Sequence, residues 1–332
     1  MEQSAKSIIG KPRWIKAAGI VIAAVFLFWV CLGIYWSRPP DQFWVNEYVD
    51  DGRVVIGYST TDTLIRVAGT LLDKRGGYLT NDKLPPGVWL DNMPSWEFGV
   101  LTQVRDLARV TRDDYTRSQS QSSEDPDVTD AVGYFFFDNN SWILPTTESQ
   151  YRQGIRGFSR YRDRLVGSAK PDAQFYARAD NLREWLAQVE KRLGSMSRRL
   201  GNSVADDVIN EELAMDPSAD AAQPQPDTVD VRTPWLQIDN VFFEARGTAW
   251  ALLHFFRAAE LDFAQVLDDK NARASVRQII RELEASLEPL RSPIILNGGG
   301  FGLTANHSLV MANYLARANA AVINLRELLD QG

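Results

Sequence analysis

A glycine cluster near the end of this 332-residue chain is the segment whose residue types most suggest ligand chemistry. It reads NGGGFGLTANHS, residues 297–308, and follows a short apolar run. A P-loop needs a lysine after its last glycine to reach the phosphates, and no lysine occurs after residue 298. Residues 300–305 match the letters G-x-G-x-x-A, but the second strand and ribose-binding carboxylate of a dinucleotide fold do not follow. We therefore expect no nucleotide and no other cofactor.

The same segment can instead be the entrance to a final helix. Glycines permit close backbone approach, and Thr304 or Asn306 can cap the helix that follows. Free N–H groups at a helix start can also bind an anion or a carboxylate. The sequence leaves open either simple capping and packing or a polar, anion or partner site made of Asn297, Gly300, Gly302, Asn306, His307 and Ser308.

Histidine and carboxylate patterns give little support for catalysis. The two histidines, His254 and His307, lack the spacing of zinc ligands, so we expect no metal site. Glu148 followed by Ser149 superficially resembles the glutamate motif of cell-wall lytic enzymes, yet both residues are common in the first turn of a helix. We assign no catalytic residue, and an enzyme is the less favoured class.

Two charged residues in the segment FFEARGTAW, Glu244 and Arg246, are predicted to form a polar pair within a helical bundle. A structural ion pair is a more common use of helical charges than an acid–base couple. The ten tryptophans of the chain can fill a core or line a groove, and the sequence does not separate these two uses.

Residues 17–36, AAGIVIAAVFLFWVCLGIYW, form one uncharged apolar run. At about 1.5 Å per residue this run reaches roughly 30 Å, the thickness of the hydrocarbon layer. Trp14 stands before it, and Tyr35 and Trp36 end it, where aromatic belts are expected. A cleaved signal peptide has a shorter apolar run and small residues at its cleavage site. The sequence predicts an uncleaved transmembrane helix, which contains the single cysteine of the chain.

Flanking charges predict the orientation of this helix. Basic residues stand before it at positions 6, 11, 13 and 16, whereas carboxylates dominate residues 41–51. The positive-inside rule places the tail, residues 1–16, in the cytoplasm and the remainder in the periplasm of a bacterium. No second long apolar run follows, so we expect a bitopic inner-membrane protein. The net charge of −7 argues against binding to nucleic acid.

Heptad spacing predicts the helices of the domain. One seam consists of Phe175, Ala179, Leu182, Leu186, Val189, Leu193, Met196 and Leu200, and similar seams occur in residues 241–259 and 311–329. Because three segments share this spacing, an antiparallel bundle is favoured over an intermolecular coiled coil. Helix caps are predicted at residues 59–62, at Ser95 and at Thr147.

The predicted fold class is mainly α: an all-α or nearly all-α bundle with one or two short strands. A membrane-proximal linker at residues 37–58 contains one strand candidate, residues 53–58. The helical periplasmic domain then covers residues 59–332. Polar composition predicts flexible loops within it near residues 116–130 and 214–234.

Six phrases of the sequence carry a family resemblance: TTDTLIRVAGTLLDKRGGYLTND, PPGVWLDNMPSWEFGVL, RSQSQSSEDPD, FDNNSWILPTTESQY, ARGTAWALLHFF and ILNGGGFGLTANHSLVMANYLARANAA. Together they resemble an uncharacterised family of Gram-negative bacterial membrane proteins, domain of unknown function 2333. The similarity runs from about Tyr58 onward. It implies a bacterial inner-membrane protein with one family-wide domain, and it implies no catalytic residue.

These features favour an interaction or scaffolding module of the cell envelope. The expected partners are the lipid bilayer, through residues 17–36, and other envelope proteins, with no nucleotide or nucleic acid. One alternative is an enzyme that acts on cell-wall glycan or another envelope substrate and uses Glu or Asp as acid and base. A second alternative is a homo-oligomer formed through the seam at residues 175–200.

Overall fold

The structure is a computed structural model that describes residues 13–50, 52–118, 122–167, 172–204, 208–209, 228–229, 233–292, 294–298 and 304–331. These residues form ten α-helices: α1 Arg13–Trp36, α2 Tyr58–Asp73, α3 Asn92–Val110, α4 Pro126–Phe135, α5 Thr147–Val166, α6 Ala179–Asn202, α7 Ile238–Asp262, α8 Ala264–Asp269, α9 Arg273–Ser286 and α10 His307–Asp330. They also form two short antiparallel pairs, in which β1 Val49–Asp50 pairs with β2 Arg53–Val54 and β3 Val208–Ile209 pairs with β4 Thr228–Val229. The predicted mainly α class is confirmed.

Among the described helices, α1 alone is long and apolar enough to cross a membrane. The segment Trp14–Trp36 has a mean hydropathy of 2.6, and only 6% of its apolar window is buried against the rest of the chain. The helix begins at Arg13 and ends at the predicted boundary, Trp36. Its length and composition suit a membrane anchor, and they also suit a signal sequence.

The predicted heptad seams are packed inside the chain. In α6 the buried seam residues are Leu182, Leu186, Val189, Leu193, Met196 and Leu200. This helix lies along α10, whose buried residues include Met311, Leu315, Ala318, Val322, Leu325 and Leu329. The α6 helix begins at Ala179, so Phe175 precedes it and packs on Tyr115 and Phe263 instead. Because α10 covers the α6 seam, this seam belongs to the bundle, as the sequence favours.

The centre of the bundle is α7, which contacts α2, α3 and α9. Every residue from Gly247 to Phe256 is buried, so this helix is surrounded by other elements along most of its length. The helices α4 and α5 pair with each other beside α2 and α3. The bundle therefore has one core, and α7 is its axis.

The helices α3 and α7 touch backbone to backbone at two glycines. A Cβ atom on Gly99 would lie 2.1 Å from the carbonyl oxygen of Glu244. A Cβ atom on Gly247 would lie 2.1 Å from the carbonyl oxygen of Trp96. Only glycine permits this approach, which fixes the positions of Trp96 and Trp250 on the two helices.

The start of α2 differs from the predicted cap at residues 59–62. The helix follows Gly57, which has a φ of 88°, and its first N–H groups are bonded by a carboxylate from another helix. Asp262 of α7 accepts from the backbone N–H of Gly57 at 2.9 Å and of Thr60 at 2.6 Å. Burial raises the pKa of Asp262 to about 6, against these hydrogen bonds, which lower it. A tertiary contact has thus replaced the local cap.

Two further helices start earlier than predicted. Asp91 caps α3, so Ser95 lies inside the first turn and donates to the Asp91 carbonyl. Thr146 caps α5, and the hydroxyl of Thr147 donates to the carbonyl of Asp138 at 2.8 Å instead. In each case another nearby residue with a similar capping preference occupies the N-cap position. Local propensity alone does not decide between such residues.

The segment after α1 is ordered against the bundle. The backbone N–H of Phe43 donates to Nε2 of His254 at 3.1 Å, and the two rings stack. His254 is fully buried, and its Nδ1 donates to the carbonyl of Trp250, while burial lowers the histidine pKa to about 4. This histidine is therefore a neutral core residue that joins residues 37–57 to α7.

The predicted loops correspond only partly to the structure. The helix α4 begins at Pro126, capped by Asp125, so the loop predicted near 116–130 ends before that helix. The predicted strand at 53–58 is limited to β2, because α2 begins at Tyr58. Most of the loop predicted at 214–234 lies outside the described residues.

Candidate functional site

The structure brings together the described members of the glycine-cluster site. Asn297 and Asn306 form an antiparallel bridge, and α10 starts directly after Asn306. The side chain of Asn297 accepts from the N–H of Ser308 at 3.3 Å and donates to the carbonyl of Ser203 at 3.3 Å. His307 accepts at Nδ1 from the N–H of Leu296 at 3.0 Å. Gly300 and Gly302 lie outside the described residues.

The first N–H groups of α10 already have acceptors within the chain. The N–H of His307 donates to the carbonyl of Leu296 at 2.8 Å, and that of Leu309 donates to Oδ1 of Asn306 at 2.9 Å. Burial lowers the pKa of His307, so its neutral form is favoured. An anion at this helix start would have to replace hydrogen bonds, so capping is the role that the geometry supports. An anion or partner site there stays a prediction.

The predicted polar pair of Glu244 and Arg246 is not formed. Glu244 accepts two hydrogen bonds from Arg199 of α6, each at 2.7 Å. Arg246 donates to the carbonyls of Leu287 and Glu288, each at 3.1 Å. The reason is helical geometry, because side chains two positions apart point to different sides of a helix.

Arg246 instead lines a cleft with a volume of about 1670 Å³. The cleft lies where the end of α1 meets the bundle. Its walls come from residues 34–42, the starts of α3 and α7, the end of α6, and residues 287–297. Large side chains that line it include Ile34, Trp96, Trp235, Leu236, Phe243, Trp250, Leu290 and Ile295. Some of the tryptophans therefore line a groove, one of the two uses that the sequence leaves open.

The cationic groups of this cleft have no carboxylate partner among the residues that the structure describes. Arg246 forms no ion pair with any described residue, and burial lowers the pKa of its guanidinium without deprotonating it. Arg38, at the exposed end of α1, also lines the cleft and forms no ion pair within the described part of the chain. A partly buried guanidinium that bonds only to carbonyls still attracts an anion.

Polar atoms at the cleft without a hydrogen-bond partner also indicate a binding site for a polar group. The Nε1–H of Trp250 is buried and has no hydrogen-bond partner among the residues that the structure describes. Oδ1 of Asn92, which also lines the cleft, is likewise unpaired there. Buried polar groups normally have partners, so these atoms are the ones that a bound polar group would satisfy.

Three carboxylates also line the cleft: Asp41 in the segment after α1, and Asp91 and Asp239 at its helical side. Asp91 caps α3, and Asp239 lies in the first turn of α7. Burial and the nearby charge of Asp91 raise the pKa of Asp239. The described residues contain no cluster of three or more His, Cys, Asp or Glu side chains suited to a metal ion. Glu148, the other carboxylate considered from the sequence, accepts from Asn81 Nδ2 at 3.0 Å outside this cleft.

Fold and site together define a class of helical-bundle protein with an N-terminal apolar helix and a cleft where that helix meets the bundle. The family model described as "Uncharacterized protein conserved in bacteria (DUF2333)" matches residues 9–332, and the chain belongs to this family. The family predicted from the sequence phrases is therefore confirmed. Neither a search of curated proteins nor a search of solved structures returned a match.

Proposed function

We propose that this chain is a bitopic inner-membrane protein whose periplasmic helical domain is an interaction module of the cell envelope. The cleft at the end of α1 is its binding site. One observation carries this function: Arg246 faces a large, mostly apolar cleft with no carboxylate partner among the described residues. The matching partner is a segment of another envelope protein that presents apolar side chains and a carboxylate.

The location rests on the flanking charges and on α1. The helix is apolar and mostly exposed, basic residues stand at positions 6, 11, 13 and 16 before its apolar run, and carboxylates dominate residues 41–51 after it. A reporter that is active only in the periplasm, fused after Gly332, is therefore expected to be active. The intact mass of the membrane-extracted protein should include residues 1–36. An inactive reporter would contradict the orientation, and a mass without these residues would identify a cleaved signal sequence.

The binding site is tested by photocrosslinking in living cells. Photoreactive residues replace Trp235 and Ile294, which line the cleft but are largely exposed, so their replacement preserves packing. We expect protein adducts at both positions and none at Glu327, an exposed residue near the far end of α10. The partner is then identified by mass spectrometry of the adduct.

A substitution gives this experiment its specificity. Arg246→Gln removes the cleft cation and should lower adduct yield about tenfold, because charge-assisted hydrogen bonds contribute about 1.5 to 3 kcal/mol. Arg277→Gln is the matched control, since Arg277 pairs with Glu260 and does not line the cleft. Equal yields in the two variants would contradict the role of Arg246. Adducts to lipid alone would contradict a protein partner.

An envelope enzyme is the second candidate, and one observation favours it. Asp239 holds its proton more readily than usual beside Asp91 in the same cleft, which is the arrangement of an acid and a base. If Asp91→Asn or Asp239→Asn abolishes the cellular role of the protein while crosslinking persists, the enzyme is the better description. Self-association through the α6 seam is less favoured, because α10 already covers that seam.

A further inference from the structure

We propose a second membrane contact, formed by two apolar loops that insert into the leaflet on the domain side beside α1. The first loop spans Leu84–Leu90, and the second spans Trp142–Leu144. This inference rests on the proposed function in one respect, that α1 spans the membrane. Its binding partner is the lipid bilayer itself.

Both loops present large apolar side chains to solvent. Leu144 is 90% exposed and Leu84 is 77% exposed. The other exposed apolar residues of the two loops, with exposures between 50% and 64%, are Val88, Trp89, Trp142 and Ile143. Soluble surfaces rarely gather so many large apolar side chains, so such a patch marks an interaction site.

The loops are held side by side by polar contacts at their bases. Nδ2 of Asn81 donates to the carbonyl of Ser141 at 2.8 Å, and the hydroxyl of Tyr78 donates to the carbonyl of Asn139 at 3.0 Å. Nζ of Lys83 donates to Oδ1 of Asn140 at 3.1 Å. The two apolar tips therefore form one surface, here named the apolar apex, rather than two independent loops.

Contacts with α1 identify lipid as the partner of the apolar apex. The ring of Trp89 lies 5.8 Å from that of Trp29 and 6.4 Å from that of Phe26, centroid to centroid. Trp29 precedes the helix end at Trp36 by seven residues, which places it roughly 10 Å below that end at about 1.5 Å per residue. If α1 spans the membrane, Trp89 therefore lies within the depth of the hydrocarbon layer. The other residues of the apolar apex lie beside Trp89.

Charges around the apex fit a membrane surface. Lys83 directly precedes Leu84 and is exposed, and the guanidinium of the exposed Arg75 lies 5.4 Å from the ring centre of Tyr35 at the end of α1. Basic side chains at the edge of an inserted apolar surface are attracted to anionic lipid headgroups. Tryptophans such as Trp89 and Trp142 are also the residues that favour the boundary between headgroups and acyl chains.

The test uses full-length protein in lipid vesicles, with Cys31→Ala as the background. A fluorophore is attached at Leu144→Cys, and the vesicles contain lipids whose acyl chains carry a quencher. We expect a loss of fluorescence comparable to that of a probe at Ile22→Cys within α1. A probe at Glu327→Cys should show no loss, because Glu327 lies near the other end of α10, roughly 30 Å along that helix from its start.

The two reference probes separate this inference from the proposed function. Quenching at residue 22 without quenching at residue 144 would overturn the apolar apex and leave the anchor intact. An absence of quenching at both residues would overturn both. A probe at residue 144 that is protected in native membranes but not in pure lipid vesicles would show a protein partner and overturn the lipid contact.

Discussion

Replacing Gly247 by alanine is expected to lower the free energy of unfolding of the domain by about 3 kcal/mol or more. The new Cβ atom would lie 2.1 Å from the carbonyl oxygen of Trp96, and the other nearest atoms also belong to the backbone of Trp96. A flexible side chain could move away, but here α3 and α7 would have to separate. Because α7 is the axis of the bundle, this separation would loosen the whole core. Gly99→Ala should act in the same way against Glu244 and Thr248.

Gly69→Ala is the matched control for this prediction. Gly69 also lies inside a helix, α2, and a Cβ atom there would meet no atom within 4 Å. Alanine is the better helix former by about 1 kcal/mol, so this variant should be neutral or slightly more stable. Urea denaturation of the full-length protein in detergent, followed by circular dichroism, measures both variants. Similar unfolding midpoints for Gly247→Ala and Gly69→Ala would contradict the close crossing of α3 and α7.

The crossing of α3 and α7 also builds the cleft. We therefore expect Gly99→Ala and Gly247→Ala to lose stability and partner binding together. Arg246 precedes Gly247 directly, and Trp96 and Trp250 lie on the two helices that cross. The glycine in EARGTAW offered a signal in the sequence. An isolated glycine inside a helical pattern is unfavourable by about 1 kcal/mol and can mark a close contact, but Gly69 of α2 has no such contact, so the pattern alone does not identify one. The sequence pattern does not identify α3 as the helix that Gly247 contacts.

The elements that could be predicted from the sequence are those whose pattern extends over many residues. The seams in α6 and α10 recur over several turns, so one deviating residue does not change the prediction. The apolar run of α1 is predictable for the same reason. Helix starts depend on single residues, and α2 begins where Asp262, distant in sequence, provides the cap. Such a contact has no local signal.

The candidate site was harder to predict because it is assembled from five separate segments. Arg246 could be selected as a functional candidate, but the sequence suggested the nearest acid, Glu244, as its partner. The actual partner of Glu244 is Arg199, on another helix. The spacing of two positions already argued against the predicted pair. The apolar apex was missed because Leu84 and Trp142–Leu144 are far apart in the chain and look like ordinary loops.

A buried ion pair next to the end of α1 gives the other large expected effect. Lys74 and Glu97 pair directly, and their side chains are only 2% and 0% exposed. Glu97 also accepts from the backbone N–H groups of Leu79 and Thr80, at 2.8 and 2.9 Å. This carboxylate thus fixes the turn after α2 onto α3. Gly76 in the same turn lies against the ring of Trp36, so the ion pair also supports the packing of the C-terminal end of α1 on the bundle.

Glu97→Ala is therefore expected to lower the free energy of unfolding by about 3 to 5 kcal/mol, because it leaves a buried ammonium without its counter-ion. The buried N–H of Leu79 and the partly buried N–H of Thr80 also lose their acceptor, which adds to the loss. Glu244→Ala is the control, since its partner Arg199 is 44% exposed and such pairs contribute about 1 kcal/mol or less. Urea denaturation should give Glu97→Ala a much lower free energy of unfolding than Glu244→Ala.

Lys74→Met should have a free energy of unfolding between those of the two variants, because Glu97 then keeps three donors from Leu79 and Thr80. If instead Lys74→Met is as damaging as Glu97→Ala, the charge pair rather than the backbone contacts holds the turn in place.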